Sequence, residues 1–176
     1  MSGIDIGDRM PQATLPGTDG DNHDLADGSA AATVVYWTCN HCPYALAWQD
    51  RLHQIARDYG DRGVRVLAVN SNNAETHPAD SFEAMATRLE NEGGWPNPYL
   101  HDETQEVARS FGAVKTPDVF VFDRDLRLRY RGAPDGDYDE PSRNADWLRG
   151  ALDAVLEARE PDPAETRPVG CGIKWK

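Results

Sequence analysis

The chain has few cysteines, no long apolar run and no apolar leader. It has 176 residues and three cysteines. Without a run of about 18 apolar residues, the sequence predicts no transmembrane helix. The acidic segment 1–8 lacks the basic start and apolar stretch of a signal peptide. We therefore expect a cytoplasmic protein, in which a cysteine pair is more often catalytic or metal-binding than a structural disulfide.

Basic residues, and lysines above all, are scarce. Thirty acidic residues against eighteen lysines and arginines give a net charge of −12, and the lysines are Lys115, Lys174 and Lys176. Such a surface repels phosphates, so we expect neither nucleic acid nor a membrane as a partner. The acidic residues are scattered, which favours an ordinary solvated surface. Adaptation of a halophilic protein to a salt-rich cytoplasm is the alternative, because salt screens self-repulsion.

Apolar periodicity divides the chain into one domain, residues 1–160, and a tail, residues 161–176, that carries the third cysteine. A β-hairpin is expected within residues 10–33. The remaining elements are strands at 33–37, 64–70, 119–122 and 126–131, and helices after Pro43, from about Asp80 with Glu83 as capping partner, over 104–111 and before Pro161. Strands that alternate with helices predict an α/β fold with a final antiparallel hairpin on its sheet.

Two cysteines at C-x-x-C spacing, Cys39 and Cys42, follow the first core strand and directly precede a helix. This spacing allows a small disulfide, and the helix N-terminus stabilises a thiolate. We expect Cys39 to attack, because it lies nearer the surface and the free helix N–H groups, and Cys42 to resolve the mixed disulfide. His41 is expected to lower the pKa of Cys39, although it could also be a plain loop residue.

The element order resembles the thioredoxin fold, a central mixed sheet flanked by helices, here with an N-terminal hairpin and a C-terminal tail. Five segments are informative beyond the element order: CNHCPY at 39–44, VNSN at 69–72, DETQEVA at 102–108, KTP at 115–117 and PVGCGIKWK at 168–176. With them, the chain resembles, over nearly its whole length, the peroxiredoxin-like branch of the thioredoxin superfamily (alkyl hydroperoxide reductase/thiol-specific antioxidant, or redoxin). The resemblance implies that Pro117 is cis, faces the cysteines and, with Thr116, positions the backbone of a substrate.

The sequence departs from both parent patterns. Peroxiredoxins have Pro and Thr seven and three residues before the reactive cysteine. Here those positions hold Val35 and Cys39 counted from Cys42, or Ala32 and Tyr36 counted from Cys39. Asn40 and His41 replace the Gly-Pro of the usual thioredoxin W-C-G-P-C site. A thiol-disulfide oxidoreductase is therefore favoured over an antioxidant thiol peroxidase.

The favoured enzyme needs no metal or organic cofactor. Its substrates would be protein or small-molecule disulfides and thiols, with a dithiol protein or a low-molecular-weight thiol as reductant. A metal-binding module is the alternative from another class. It would use Cys39, Cys42 and Cys171, with His41, His53 or His101 as further ligands.

Cys171 lies between two glycines, Gly170 and Gly172, in the tail. Glycine lets the chain bend and approach other backbone closely, so the tail could fold back beside the C-x-x-C pair. Ile173 and Trp175 would then anchor it, and Cys171 would be an alternative resolving thiol for Cys39. An inert tail thiol is the equally weighted alternative.

Overall fold

The computed structural model describes residues 3–176. The strands are β1 (Thr14–Pro16), β2 (Asn22–Asp24), β3 (Ala32–Trp37), β4 (Val64–Asn70), β5 (Tyr99–His101), β6 (Lys115–Thr116), β7 (Asp118–Phe122), β8 (Leu128–Gly132) and β9 (Cys171–Gly172). The helices are α1 (Pro43–Gly60), α2 (Phe82–Asn91), α3 (Glu106–Phe111) and α4 (Asp146–Leu156). Two short 3₁₀ turns lie at Pro78–Asp80 and Pro141–Arg143.

The central sheet has five strands in the order β5-β4-β3-β7-β8. Strands β3, β4 and β5 are parallel, whereas β7 runs antiparallel to β3 and β8 antiparallel to β7. Every residue of the middle strand β3 is buried. This mixed sheet and its antiparallel final hairpin confirm the predicted α/β fold. The predicted N-terminal hairpin is the pair β1 and β2.

Two apolar layers cover the two faces of the sheet. On one face, α1, α2 and α4 pack against alternate residues of β3 and β4. The apolar side chains of α1 recur every three or four residues, and all are buried as predicted: Ala45, Trp48, Leu52, Ile55 and Tyr59. On the other face, α3, the N-terminal hairpin and Ile173 of the tail pack together around Trp37. Both faces of β3 are therefore covered, and its C-terminal end is where the site lies.

Several element boundaries differ from the sequence expectations. Helix α2 begins after Ser81, whose side chain accepts from the Ala84 N–H at 3.1 Å, so the predicted Asp80–Glu83 capping pair is wrong. Asp80 instead ends the preceding 3₁₀ turn. Strand β5 is absent from the sequence expectations, because three residues are too few to show a period. Helix α3 is shorter than predicted, and β8 begins two residues later than expected.

The tail runs along the edge strand β8, and its last part pairs with β6. Arg131 of β8 donates its N–H to the Ala164 carbonyl at 3.1 Å, and Thr166 donates its N–H to the Arg131 carbonyl at 3.0 Å. Farther on, β9 pairs antiparallel with β6. Among residues 3–176, no helix combines the length and apolarity needed to cross a membrane.

Candidate active site

The two cysteines meet at the junction of the middle strand and the first helix. β3 ends at Trp37, Cys39 follows, and Cys42 is the residue that caps α1. The Cys42 N–H donates to the Cys39 sulfur at 3.3 Å. Cys39 is 1 % and Cys42 0 % exposed, so the expectation that Cys39 lies nearer the surface is not met to any useful degree. Both thiols are buried in this conformation.

Thr116, the residue before Pro117, lies against both sulfurs. The Thr116–Pro117 peptide bond is cis, as the resemblance implied. The Thr116 hydroxyl lies 3.6 Å from the Cys39 sulfur, and the Cys42 thiol donates to the Thr116 carbonyl at 3.2 Å. The structure thus brings together the four residues that sequence reasoning selected from segments far apart in the chain.

The two thiols share a hydrogen bond, and this dominates their ionisation. A thiol that donates to a neighbouring sulfur stabilises the neighbour's thiolate and keeps its own proton. The bond from Cys39 lowers the pKa of Cys42 to about 4. The same bond, burial and the nearby Asp80 carboxylate raise the pKa of Cys39. The predicted lowering of the Cys39 pKa is therefore wrong for this closed arrangement, which raises the pKa of Cys39 and lowers that of Cys42.

His41 faces a buried carboxylate rather than the thiol alone. Its Nδ1 lies 2.7 Å from Asp80 Oδ2, while its backbone N–H is among the groups that favour a Cys39 thiolate. The ring also stacks on His77 at a centroid distance of 5.4 Å. His41 therefore links the active-site loop to the segment before α2.

Asp80 is the central residue that sequence reasoning missed. Its fully buried carboxylate accepts from the Asn40 N–H at 2.7 Å, from Asn70 Nδ2 at 3.1 Å and from Asn72 Nδ2 at 3.0 Å. With His41, these donors come from both the C-x-x-C loop and the end of β4. The polar run after β4 was the available signal, but nothing local pairs it with Asp80.

Asn40, between the cysteines, is held by a second group of side chains. Its Oδ1 accepts from the Tyr99 hydroxyl and from an Arg88 guanidinium nitrogen, both at 2.9 Å. Its Nδ2 donates to the Ala79 carbonyl at 2.8 Å. The same Arg88 nitrogen donates to the Cys39 carbonyl at 3.2 Å. Arg88, also missed from sequence, fixes the backbone on which Cys39 lies.

Cys171 reaches the cysteine pair. Thr116 of β6 is the register partner of Cys171 of β9, and the Cys171 side chain packs against the cluster of Cys39, Cys42 and Ala45. The Cys171 and Cys42 thiols are within hydrogen-bonding reach, a contact that helps to lower the pKa of Cys42. Burial, followed by this contact, raises the pKa of Cys171 to about 11. The tail therefore folds back as the sequence suggested.

One group of side chains has the composition of a metal site. One ligand atom each from Cys39, His41 and Asp80 lies within 4.8 Å of the others. This set differs from the one proposed from sequence, since it contains neither Cys42 nor Cys171. Both Asp80 oxygens already accept two hydrogen bonds each, so a metal would have to displace the donors that hold the loop. The residues fit a hydrogen-bonded carboxylate better than a metal centre.

The sheet order, the C-x-x-C pair at the strand–helix junction and the cis-proline define a protein of thioredoxin-like fold. A family model described as AhpC/TSA family matches residues 6–131. The chain therefore belongs to the AhpC/TSA, or redoxin, family. No curated protein matches the chain.

Solved structures share the fold of this chain. An uncharacterized conserved protein of Geobacillus kaustophilus is 42 % identical, with a TM-score of 0.89 over 98 % of this chain and 93 % of that chain. A hypothetical protein of Sinorhizobium meliloti is 33 % identical, with a TM-score of 0.91 over 99 % and 97 %. An exposed lipoprotein thioredoxin of Streptococcus pneumoniae is similar in fold, at 20 % identity and a TM-score of 0.60 over 77 % and 98 %. The thioredoxin-like fold expected from the sequence is confirmed.

Proposed function

We propose that the protein is a thiol-disulfide oxidoreductase in which Cys39 and Cys42 are the reacting dithiol. The observation that carries this proposal is the close approach of the two cysteines at the end of the middle strand, where the Cys42 N–H donates to the Cys39 sulfur at 3.3 Å. Two neighbouring thiols beside a helix N-terminus, one of them with a lowered pKa, are equipped for disulfide exchange. Membership of a redoxin family supports a redox role of this kind.

The low pKa of Cys42 gives this residue two successive roles. Cys42 first takes the proton of Cys39 as the Cys39 sulfur attacks a substrate disulfide and expels one substrate thiolate. That thiolate, or water, then removes the proton from Cys42. The Cys42 thiolate attacks Cys39 of the mixed disulfide, the Cys39–Cys42 disulfide forms, and the second substrate thiolate leaves. A dithiol protein or a low-molecular-weight thiol then reduces the enzyme.

His41 and Asn40 tune this site through the loop that carries Cys39. Asn40 is fixed by Tyr99 and Arg88, and His41 is held against Asp80. The loop therefore keeps its shape while the sulfurs change bonding partners. Thr116 and Pro117 would position the substrate backbone, in the place that β9 occupies in this conformation.

A chromogenic aromatic disulfide tests the proposal. Wild-type protein, reduced and freed of excess reductant, should release two thiolates for each molecule in the first fast phase and become oxidised at Cys39–Cys42. Cys42→Ser should stop at a stable mixed disulfide on Cys39, which peptide mapping identifies. Cys39→Ser, which keeps Cys42 and Cys171, should release thiolate much more slowly than the wild type. A wild-type protein that does not reduce the disulfide, or a mixed disulfide that forms equally on Cys39→Ser, would contradict the assignment.

A thiol peroxidase with an antioxidant role is the second candidate. The observation that favours it is the Thr116 hydroxyl 3.6 Å from the Cys39 sulfur, because a hydroxyl in that position could bind a peroxide oxygen. Cys39 would be oxidised to a sulfenic acid that condenses with Cys42, with release of water. Peroxide consumption with a dithiol donor separates the candidates. We expect it to be much slower than disulfide exchange, and a faster peroxide reaction would reverse the order.

A further inference from the structure

The C-terminal tail lies where a strand-like substrate would bind. Antiparallel pairing joins Lys115 to Gly172 and Thr116 to Cys171, directly before the cis-proline. Gly170 passes so close to the Thr116 carbonyl that a Cβ at this position would lie 2.2 Å from that oxygen. Only glycine permits this approach without displacing backbone, so residue 170 is adapted to a docked tail.

The docked tail is anchored on both sides of Cys171. The Ile173 side chain is buried, and its N–H donates to the Val114 carbonyl at 3.1 Å. The Lys174 N–H donates to Asn72 Oδ1 at 2.9 Å, and the Lys174 carbonyl accepts from the Asn73 N–H at 2.8 Å. Arg109 lies 4.4 Å from the centre of the Trp175 ring. These contacts hold the Cys171 backbone in one register against the active site.

Cys42 is a neighbour of both other thiols. It contacts Cys39 and Cys171, and the Cys171 side chain packs against the cluster that Cys39 and Cys42 form. Disulfide exchange requires that an attacking sulfur reach one sulfur of the disulfide while the other sulfur leaves. Because β9 holds Cys171 in register with Thr116, beside Cys42, the attacking and attacked sulfurs are close within one molecule.

We propose that Cys171 is a third redox thiol of this site, which exchanges with the Cys39–Cys42 disulfide by attacking Cys42. The Cys171 sulfur forms a bond to Cys42, the Cys39–Cys42 bond breaks, and the electron pair leaves on Cys39, which takes up the proton that the Cys171 thiol loses. The disulfide moves to Cys42–Cys171, no oxidant or reductant is consumed, and Cys39 is free for another substrate. This inference rests on the proposed function, because it assigns the next step of that chemistry.

The first test uses Cys39→Ser, in which the exchange partners remain and the attacking thiol is gone. After one equivalent of diamide at low protein concentration, the intact mass should show the loss of two hydrogens. Non-reducing peptide mapping should then find Cys42 joined to Cys171 in most molecules. Two free thiols, or disulfides between molecules only, would overturn the proposal.

Two tail glycines provide a matched pair of variants in the Cys39→Ser background. Gly170→Ala places a methyl group against the Thr116 carbonyl and should reduce the yield of the Cys42–Cys171 disulfide severalfold. Gly172→Ala places a methyl group in open space, since no atom lies within 4 Å of a Cβ there, and should leave the yield unchanged. Trp175→Ala, which removes the contact with Arg109, is a second way to loosen the tail. Equal yields in all variants would show that the docked geometry is irrelevant and would refute the proposal.

Wild-type protein tests the exchange step itself. After oxidation to one disulfide and an acid quench, mapping should find Cys42–Cys171 alongside Cys39–Cys42. Its complete absence would contradict the step. These measurements need no external substrate, so they are independent of the aromatic disulfide assay. A protein that forms Cys42–Cys171 but does not reduce that compound would refute the proposed function and leave the third thiol in place.

Discussion

Substituting Asp80 by asparagine should destabilise the protein and activate Cys39 at the same time. The Asp80 carboxylate is fully buried and accepts four hydrogen bonds, from Asn40, His41, Asn70 and Asn72. Asparagine has nearly the same shape but one carbonyl oxygen. That oxygen can keep the bonds from Asn40 and Asn70 that Oδ1 accepts, whereas the amino group then faces the amide nitrogen of Asn72.

Asn72 cannot relieve this conflict by turning its amide, because its Oδ1 accepts from the Lys174 N–H at 2.9 Å. The substitution therefore loses the two hydrogen bonds that Asp80 Oδ2 accepts, from Asn72 and from His41. At about 1.5 kcal/mol each, the free energy of unfolding should fall by about 3 kcal/mol. For a domain of this size, such a loss lowers Tm by about 6–12 °C. Urea unfolding followed by tryptophan fluorescence measures the change.

The second effect is on reactivity: although Asp80→Asn destabilises the protein, it should make the Cys39 thiol more reactive. The contact with Cys42, burial and the Asp80 charge together raise the pKa of Cys39. In Asp80→Asn a neutral amide replaces the carboxylate and removes its repulsion of the thiolate, so the pKa of Cys39 should fall. Iodoacetamide labelling of Cys39 at fixed pH, located by peptide mapping, should become faster.

The control is Asp153→Asn. Asp153 pairs with Arg62 at 3.2 Å, and both side chains are nearly half exposed. The same carboxylate oxygen accepts from the Tyr59 hydroxyl at 2.7 Å, a bond that an asparagine oxygen can keep. The substitution should therefore cost less than about 1 kcal/mol and leave labelling unchanged. The reasoning is refuted if Asp80→Asn is as stable as this control, or if Cys39 becomes slower to alkylate.

Three further predictions concern charges away from the thiols. Asp135 is fully buried and accepts from Trp48 Nε1 at 3.0 Å and from Arg51 at 2.8 Å. Asp135→Asn should therefore lower the free energy of unfolding, measured in urea, by about 3–5 kcal/mol. A loss below about 1 kcal/mol would disprove this. Burial raises the pKa of Asp118 to about 6, above the unfolded value of about 3.9. The folded state therefore binds the Asp118 proton more tightly than the unfolded state does. This protonation contributes its full stabilisation below about pH 4, and the contribution is lost as pH rises through about 6. Asp118→Asn should flatten that part of the curve of stability against pH, and an unchanged slope would rule out this titration. Finally, if the net charge of −12 reflects adaptation to salt, Tm should rise as potassium chloride increases from millimolar to molar, whereas a flat or falling Tm leaves an ordinary acidic surface.

The parts of the fold that sequence predicted are those with local signals. Pro43 at the first position of α1 and the apolar side chains spaced by three and four residues identify that helix without tertiary information. The apolar segment 64–70 predicts a strand over the observed bounds of β4. The C-x-x-C pair between a strand and a helix also indicates redox chemistry locally, because spacing and helix polarity determine what the sulfurs can do.

The sequence does not reveal features that exist only through contacts with residues far away in the chain. β5 is a strand because it pairs with β4, and its three residues carry no period of their own. The position of Asp80 next to the α2 boundary suggests a helix cap. It is instead the buried acceptor of the active-site loop, because the fold brings the end of β4 and the C-x-x-C loop to one point.

The tail shows most clearly which features the sequence determines and which depend on tertiary structure. Sequence alone placed a cysteine between two glycines and an apolar anchor beyond it, which allows a close approach but names no target. Tertiary structure decided that Cys171 pairs with Thr116, 55 residues away, and that its partly buried thiol reaches Cys42. Local spacing determines a helix or a dithiol because neighbours along the chain make the contacts. A contact closed over so long a loop depends on the packing of everything between its ends.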